Sequence, residues 1–396
     1  MLQISVIHKK HIDKIMDKNM VKKVVTFKAG HFVLSNEYDR QGLADKLVEA
    51  RVLRETVAEL PILPAISSHL EEETIIRSIF GTAALEGNPL SEKEVGQVLS
   101  QAGPEETRDR AQREVANLKR AYNLVRESRD SEGPDEIIEG FIRSLHQIIT
   151  DGIEHPRNQP GRYRGYKVLV GDAEHGGVYT PPKILPDIET LMAALVEWIN
   201  SPEVMADGAL VRAALLHYHL GIIHPFADGN GRTARLMEAM VLANDGIRLV
   251  PAMLSNYYYQ HMDEYYWAFS ICLKDKNKDV TPFVDFVLTA FIASIREMKG
   301  RMTFFIRKFA LRDFIAYRRA ERDITHRQHE LLRLLLESHA TFSLRDLFVR
   351  TPFSLLYEKV TERTARRDLE RLTTMGLIWR REDGKYEINL NALDAL

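Results

Sequence analysis

Residues 224–235 read His224-Pro225-Phe226-Ala227-Asp228-Gly229-Asn230-Gly231-Arg232-Thr233-Ala234-Arg235. Apolar text with helical spacing, Ala213 to Ile223, runs into this stretch, and more, Leu236 to Leu242, runs out of it. Gly229-Asn230-Gly231 therefore reads as a loop that opens a helix. The first amides of a helix lack an intrahelical acceptor and lie at the positive end of its dipole, so such a loop is an anion site. Two glycines let backbone approach a phosphate with no Cβ in the way. Arg232 and Arg235, three residues apart, share one helix face and can both reach an oligophosphate. Asp228 offers an oxygen ligand suited to Mg²⁺ on phosphates. His224 can take up a proton near neutral pH. A Gly-Asn-Gly turn or a histidine at a helix end is ordinary alone. Base, metal ligand, anion nest and paired arginines on one helix–loop–helix together imply phosphoryl or nucleotidyl transfer.

The surrounding text is mainly helical. Spacing predicts helices over 67–85, 91–100, 107–128, 135–151, 186–200, 207–223, 232–244, 259–274 and 281–299. Ser91-Glu92-Lys93-Glu94 has the form of a capping box, and Gly133-Pro134 and Gly208 are natural breaks. Lys167–Gly171 and Gly177–Thr180 are short β-type runs around a turn, ahead of Pro181-Pro182, and predict a lone hairpin on the helical body. Before residue 67, Val24–Leu34 could hold a strand or two. Gly42–Leu60 has helical spacing, with Leu43, Leu47, Val52, Val57 and Leu60 as inward positions, closed by Pro61 and Pro64.

Arg301–Arg322 reads as a basic connector helix. Beyond it, helices are expected at Gln328–Ser338 and Leu344–Arg350, with a third from the N-cap Thr361 to Met375, stopped by Gly376. Two strands then flank Asp383-Gly384. Three helices and a two-stranded wing make a winged helix-turn-helix. The expected fold is thus a helical bundle with a β-hairpin flap plus a C-terminal winged helix domain. Its divisions would be an arm at 1–66, the body at 67–300, the connector at 301–326 and the small domain at 327–396.

Composition bounds the reading. The chain has 396 residues, 45% hydrophobic and 28% charged, too apolar to be disordered throughout. A formal charge of −2 excludes a histone-like basic coat. Locally, residues 301–396 hold 19 Lys+Arg against 14 Asp+Glu. Arg363, Arg366, Arg367 and Arg371 on the third small-domain helix suit phosphate contact, diluted by Glu362, Asp368 and Glu370. The single cysteine, Cys272, fits a reducing compartment. No apolar run reaches the roughly 18 residues of a membrane span, and Met1–Lys23 has no signal-peptide core, so a soluble cytoplasmic protein is expected. Histidines 217 and 219, two apart on one helix, point different ways and read as packed side chains, not a metal face. His146 and His155 have no evident partner. Glu174 and His175 fall in the hairpin turn and read as solvated.

The 224–235 string also resembles the Fic family, whose motif H-x-F-x-(D/E)-G-N-G-R-x-x-R it matches in full. The resemblance covers about residues 67–300. It implies transfer of AMP from ATP to a Ser, Thr or Tyr hydroxyl of a protein, with Mg²⁺. His224 would then be the base, Asp228 the metal ligand, and Gly229, Asn230 and Gly231 the anion hole. Arg232 and Arg235, with Thr233 and Ala234 between them, would hold the rest of the triphosphate. Gly231, where phosphate-transferring relatives carry Lys, favours AMP transfer. Thr82-Ala83-Ala84-Leu85-Glu86-Gly87-Asn88 resembles the family's inhibitory motif (S/T)-x-x-x-E-(G/N), placed before the catalytic motif. Glu86 would pair with Arg235 as a brake, and in some relatives the same residue supports AMP removal. The hairpin at 167–182 matches the family's flap, with Val178, Tyr179 and Thr180 as contacts to a target segment. Tyr265 and Tyr266 would lie near the adenosine and Asn277 near the base. Partners left open are the chain itself as target, a second copy in a homodimer, and DNA through the C-terminal domain. The alternative function is a DNA-binding transcriptional regulator with a nucleotide-sensing Fic module.

Overall fold

The computed structural model describes residues 21–100, 109–130, 136–247 and 249–394. The Gly133-Pro134 break and most of Met1–Lys23 lie outside them. The chain divides into two compact units, one of residues up to Glu59 with Ser67–Met298, the other of Leu60–Ile66 with Lys299–Leu396.

In the first unit a hairpin of β1 (Lys22–Val25) and β2 (His31–Leu34) comes first. Helices follow: α1 (Ala44–Glu59), α2 (Pro64–Ala84), α3 (Glu92–Ser100), α4 (Arg110–Asp130), α5 (Glu139–Ile149), α6 (Leu185–Ile199), α7 (Pro202–Met205), α8 (Ala209–Ile223), α9 (Asn230–Asn244), α10 (Pro251–Gln260) and α11 (Met262–Lys274). Helix α12 (Thr281–Ala320) runs on into the second unit. Helices α8 and α9 are buried on nearly every side, which is the mark of central helices. They form the most extensive helix pair of the fold, and α9 also packs on α4, α5 and α10. The loop between them is therefore fixed at the centre of the bundle.

The expected arm at 1–66 is not a separate body, because its polar groups are consumed by the bundle. The buried Asp187 carboxylate on α6 accepts the amides of Phe27, Lys28 and Ala29 in the β1–β2 turn. The Ser35 backbone lies within hydrogen-bond reach of His219 Nε2 on α8, N at 3.1 Å and O at 2.9 Å, and Val280 donates its amide to Glu37 O. Within α1, Leu43 precedes a helix whose buried residue is Ala50, while Val52, expected inward, is exposed. Helix α10 was not anticipated, and His261 separates it from α11. The expected flap hairpin narrows to a single bridge, Val170 with Tyr179, whose two amide–carbonyl bonds are 2.9 and 2.7 Å. Gly171, Gly176 and Gly177 all adopt positive φ and turn the chain before a longer ladder can form.

No separate connector exists at 301–326. Helix α12 passes through Gly300 unbroken, since one helical glycine costs only about 1 kcal/mol without a proline beside it. The second unit adds α13 (His326–Ser338), α14 (Asp346–Val349), α15 (Phe353–Tyr357), α16 (Glu362–Thr374), β3 (Ile378–Arg380) and β4 (Tyr386–Ile388). Thr325 caps α13 in a reciprocal box with Gln328, and Thr361 caps α16. Strands β3 and β4 pair antiparallel, Ile378 opposite Ile388, and Phe342 bridges to Tyr386. Leu331, Leu335, Phe342, Leu347, Leu369 and Ile378 belong to one core. Buried Asp368 ties Arg327, Gln328 and Tyr357 together. Among the described residues no helix is long and apolar enough to cross a membrane.

Candidate active site

Helix α8 ends at His224 in the left-handed conformation, φ 50 and ψ 59, a geometry that costs a non-glycine residue about 1–2 kcal/mol. Arg164 holds the chain there. Its Nε donates to His224 O at 2.8 Å, and Nη1 donates to Tyr166 O and Pro182 O. Burial lowers its guanidinium to about 10. No sequence signal marks this residue, because carbonyl acceptors leave no side-chain signature. The loop that follows is braced by Asn230, whose side chain exchanges 2.9 Å bonds with both the N–H and the C=O of Phe226. Phe226 stacks on His146 at 3.7 Å between ring centroids. His146 does have partners. Nδ1 accepts the Gly161 amide, which leaves Nε2 to donate to Asp228 O, both at 2.9 Å. Burial takes this imidazole down to about 4, so it stays neutral.

A cavity of about 350 Å³ opens above the loop. His224, Gly231, Ala234 and Arg235 line it, with Glu86, Tyr179, His175, Tyr265 and Tyr266. His224 Nδ1 lies 3.3 Å from Gly221 O. A carbonyl only accepts, so Nδ1 carries the proton and Nε2 keeps its lone pair. Burial pushes this imidazole down to about 4, which leaves it uncharged and able to accept a proton at neutral pH.

Arg235 is buried and fully engaged. It meets Glu86 Oε1 at 2.6 Å, Thr82 Oγ1 at 2.7 Å and the Tyr265 hydroxyl at 3.4 Å. Burial opposes ionisation of Glu86, yet Arg235 and then Arg232 outweigh it and hold the carboxyl below its usual range. Gly231 makes this placement physical. A Cβ there would stand far inside contact distance of Glu86 Oε1 and 3.0 Å from Arg235 Nη1. The carboxylate therefore rests against the first turn of α9, where that helix attracts anions. Thr82 comes from the last turn of α2, and Gly87 turns the chain after Glu86 with φ 82.

The other expected residues fall as follows. Asp228 Oδ1 accepts the Gly229 amide at 2.7 Å and pairs with Arg232 at 3.0 Å. Its Oδ2 has no partner among the described residues, which fits a hard cation. Thr233 donates its hydroxyl to Gly229 O and is buried away from the cavity. Val178 and Thr180 are not among the lining residues, whereas Tyr179 is, with its phenol pushed up to about 12 by burial. Asn277 is exposed in the loop after α11 and is not brought to the cavity. His217 Nε2 lies 2.9 Å from the Tyr265 hydroxyl and Nδ1 lies 3.2 Å from Glu238, so this buried histidine packs in the cavity wall. His219 is likewise buried. His155 is not isolated, since Nδ1 accepts the Asn158 amide. His175 is not solvated either: it contacts Asp172 and Asp263.

An uncharged imidazole, the start of α9 and the Arg235–Glu86 pair thus meet at one cavity of a helical bundle. Residues 136–242 match the model of the Fic/DOC family. It is 29% identical over 246 residues to "Protein adenylyltransferase fic-1" of Caenorhabditis briggsae, covering 59% of this chain and 45% of that protein. With "Protein adenylyltransferase Fic" of Nematostella vectensis it shares 29% over 251 residues, 62% of this chain and 53% of the other. The chain thus spans about half the length of these curated relatives. Among solved structures, Fic-1 from C. elegans superposes with a TM-score of 0.53 at 27% identity, covering 65% of this chain and 72% of that one. A Fic family protein from Desulfovibrio desulfuricans G20 has the same fold, with a TM-score of 0.55 at 23% identity over 88% of this chain and 96% of that one.

Proposed function

We propose that this chain is a protein adenylyltransferase restrained by its own Glu86. The single observation that carries the reading is the Glu86 carboxylate on Arg235 at the start of α9, where a phosphate of ATP would otherwise sit. In the transfer, the oxygen of a Ser, Thr or Tyr hydroxyl on a target protein attacks the α-phosphorus. The bond from that phosphorus to the bridging oxygen breaks and pyrophosphate leaves. His224 Nε2 takes the hydroxyl proton, which its neutral state allows. The amides of the α9 first turn and Arg235 stabilise charge on the phosphates. Bound Mg²⁺, held by Asp228 Oδ2, would neutralise phosphate charge. The cavity walls of Tyr265 and Tyr266 suit a nucleoside. With Glu86 in place, the triphosphate cannot use Arg235, so the productive pose is lost.

Labelling tests this directly. ATP radiolabelled on the α-phosphate should mark protein in lysate, more strongly with Glu86→Gly and not at all with His224→Ala. Label arriving only from the γ-phosphate, or no gain in Glu86→Gly, refutes the reading. The second unit, with a capped helix α16 followed by the β3–β4 hairpin, supports a winged helix reading.

A further inference from the structure

The turn of the flap carries a histidine whose two ring nitrogens both face carboxylates. His175 Nδ1 lies 2.9 and 3.0 Å from the two oxygens of Asp172 within the turn. Its Nε2 lies 3.1 Å from Asp263 Oδ1 in the first turn of α11. The side chain is 13% exposed although it sits in a surface turn. An ionised carboxylate only accepts, and a neutral imidazole has a single N–H. Both contacts therefore exist together only in the imidazolium. Asp172 is itself pinned, because Oδ1 also takes the amides of Glu174 and His175. The neighbouring Gly176 leaves no room for a Cβ against Ser270 Oγ of α11. The turn is thus seated on α11, and the seat forms part of the cavity wall, since Asp172, His175 and Gly177 line it together with Tyr265 and Tyr266.

We propose that His175 is a positioning residue: as a cation bridging Asp172 and Asp263 it fastens the flap over the nucleotide cavity. The inference rests on the adenylyltransferase reading for its activity consequence but not for the fastening itself. The groups that face His175 are Asp172 and the exposed Glu174 on its own turn, and Asp263, Tyr266 and Trp267 on α11, with Lys274 beside Gly176. The hydrogen bonds to Asp172 and then Asp263 raise the imidazole above its ordinary 6.5. A raised histidine holds its contacts fully below 6.5 and loses them as pH climbs through the higher, folded value.

Trp267 reports on this, with its ring 6.4 Å from His175. Its emission in the full chain, with Trp379→Phe to remove one of the other two tryptophans, is titrated from about pH 5 to about pH 9. The remaining Trp198 adjoins His219, which burial takes down to about 4 and so out of the window. A midpoint above 6.5, abolished in His175→Gln and lowered in Asp263→Asn, supports the proposal. A flat wild-type curve, or an unchanged midpoint in His175→Gln, overturns it. In the Glu86→Gly background, KM for ATP should rise roughly three- to tenfold on crossing that midpoint with kcat steady, the scale of one charge-assisted hydrogen bond partly screened by water. His175→Arg, charged throughout, should flatten the rise, and a pH-independent KM in the parent overturns the activity consequence. Should no variant transfer nucleotide while the fluorescence still titrates, the fastening stands and the adenylyltransferase reading falls.

Discussion

Single side chains in this protein are chosen for protonation state as much as for shape. His146 and His219 are both fully buried, and burial takes each down to about 4. In the unfolded chain they would take up protons near 6.5. The unfolded state therefore binds more protons than the folded one between those values, and stability falls as pH falls through that window. The ceiling is about 1.4 kcal/mol per histidine per pH unit. Urea denaturation at pH 7 and pH 5 should show the loss, and His219→Gln should lessen it. The motif residues at 224–235 were legible because their chemistry lies in twelve consecutive positions. Arg164 and His175 were not, and Thr82 was legible as a motif position but not as a partner of Arg235. Their roles depend on carbonyls, carboxylates or a guanidinium far along the chain, such as Asp263, 88 positions after His175. Asn277 was the converse case: a plausible residue type, placed by the end of α11 on the outside.

Among elements, the β1–β2 hairpin is the clearest case of one piece held by another. Its turn donates three amides to the carboxylate of Asp187, which is only 1% exposed. Removing that buried acceptor leaves the exposed turn with water as its partner and loses its hydrogen bonds to a charged group, at about 1.5–3 kcal/mol. Asp187→Ala should therefore speed hydrogen exchange across residues 22–34 while α8 and α9 keep their protection, which mass spectrometry can read. Helices α8 and α9 were readable in advance from continuous apolar text. The strength of the flap ladder was not, since three positive-φ glycines limit it to one bridge. Helix α2 reaches its partner through Gly81, where a Cβ would meet the backbone of Ser255 and Asn256. This close approach helps set where Thr82 and Glu86 fall.

For the whole molecule, each unit has its own hydrophobic interior. Leu335 is fully buried in the core of the second unit. Leu335→Ala should cost about 2–5 kcal/mol. Calorimetry should show the loss in a transition of that unit, with the transition of the first unit unmoved. The two-unit division was half visible from sequence: the small C-terminal unit announced itself through caps and a turn. The continuity of α12 was hidden, because nothing in the text around Gly300 separates a tolerated glycine from a stop.

Position 231 bears on heredity as well as on mechanism. A Cβ there meets the carboxylate of Glu86 and the guanidinium of Arg235 at once. A lineage that drifted away from glycine would disturb both partners of that ion pair in the same step. Natural selection acting on either one guards both.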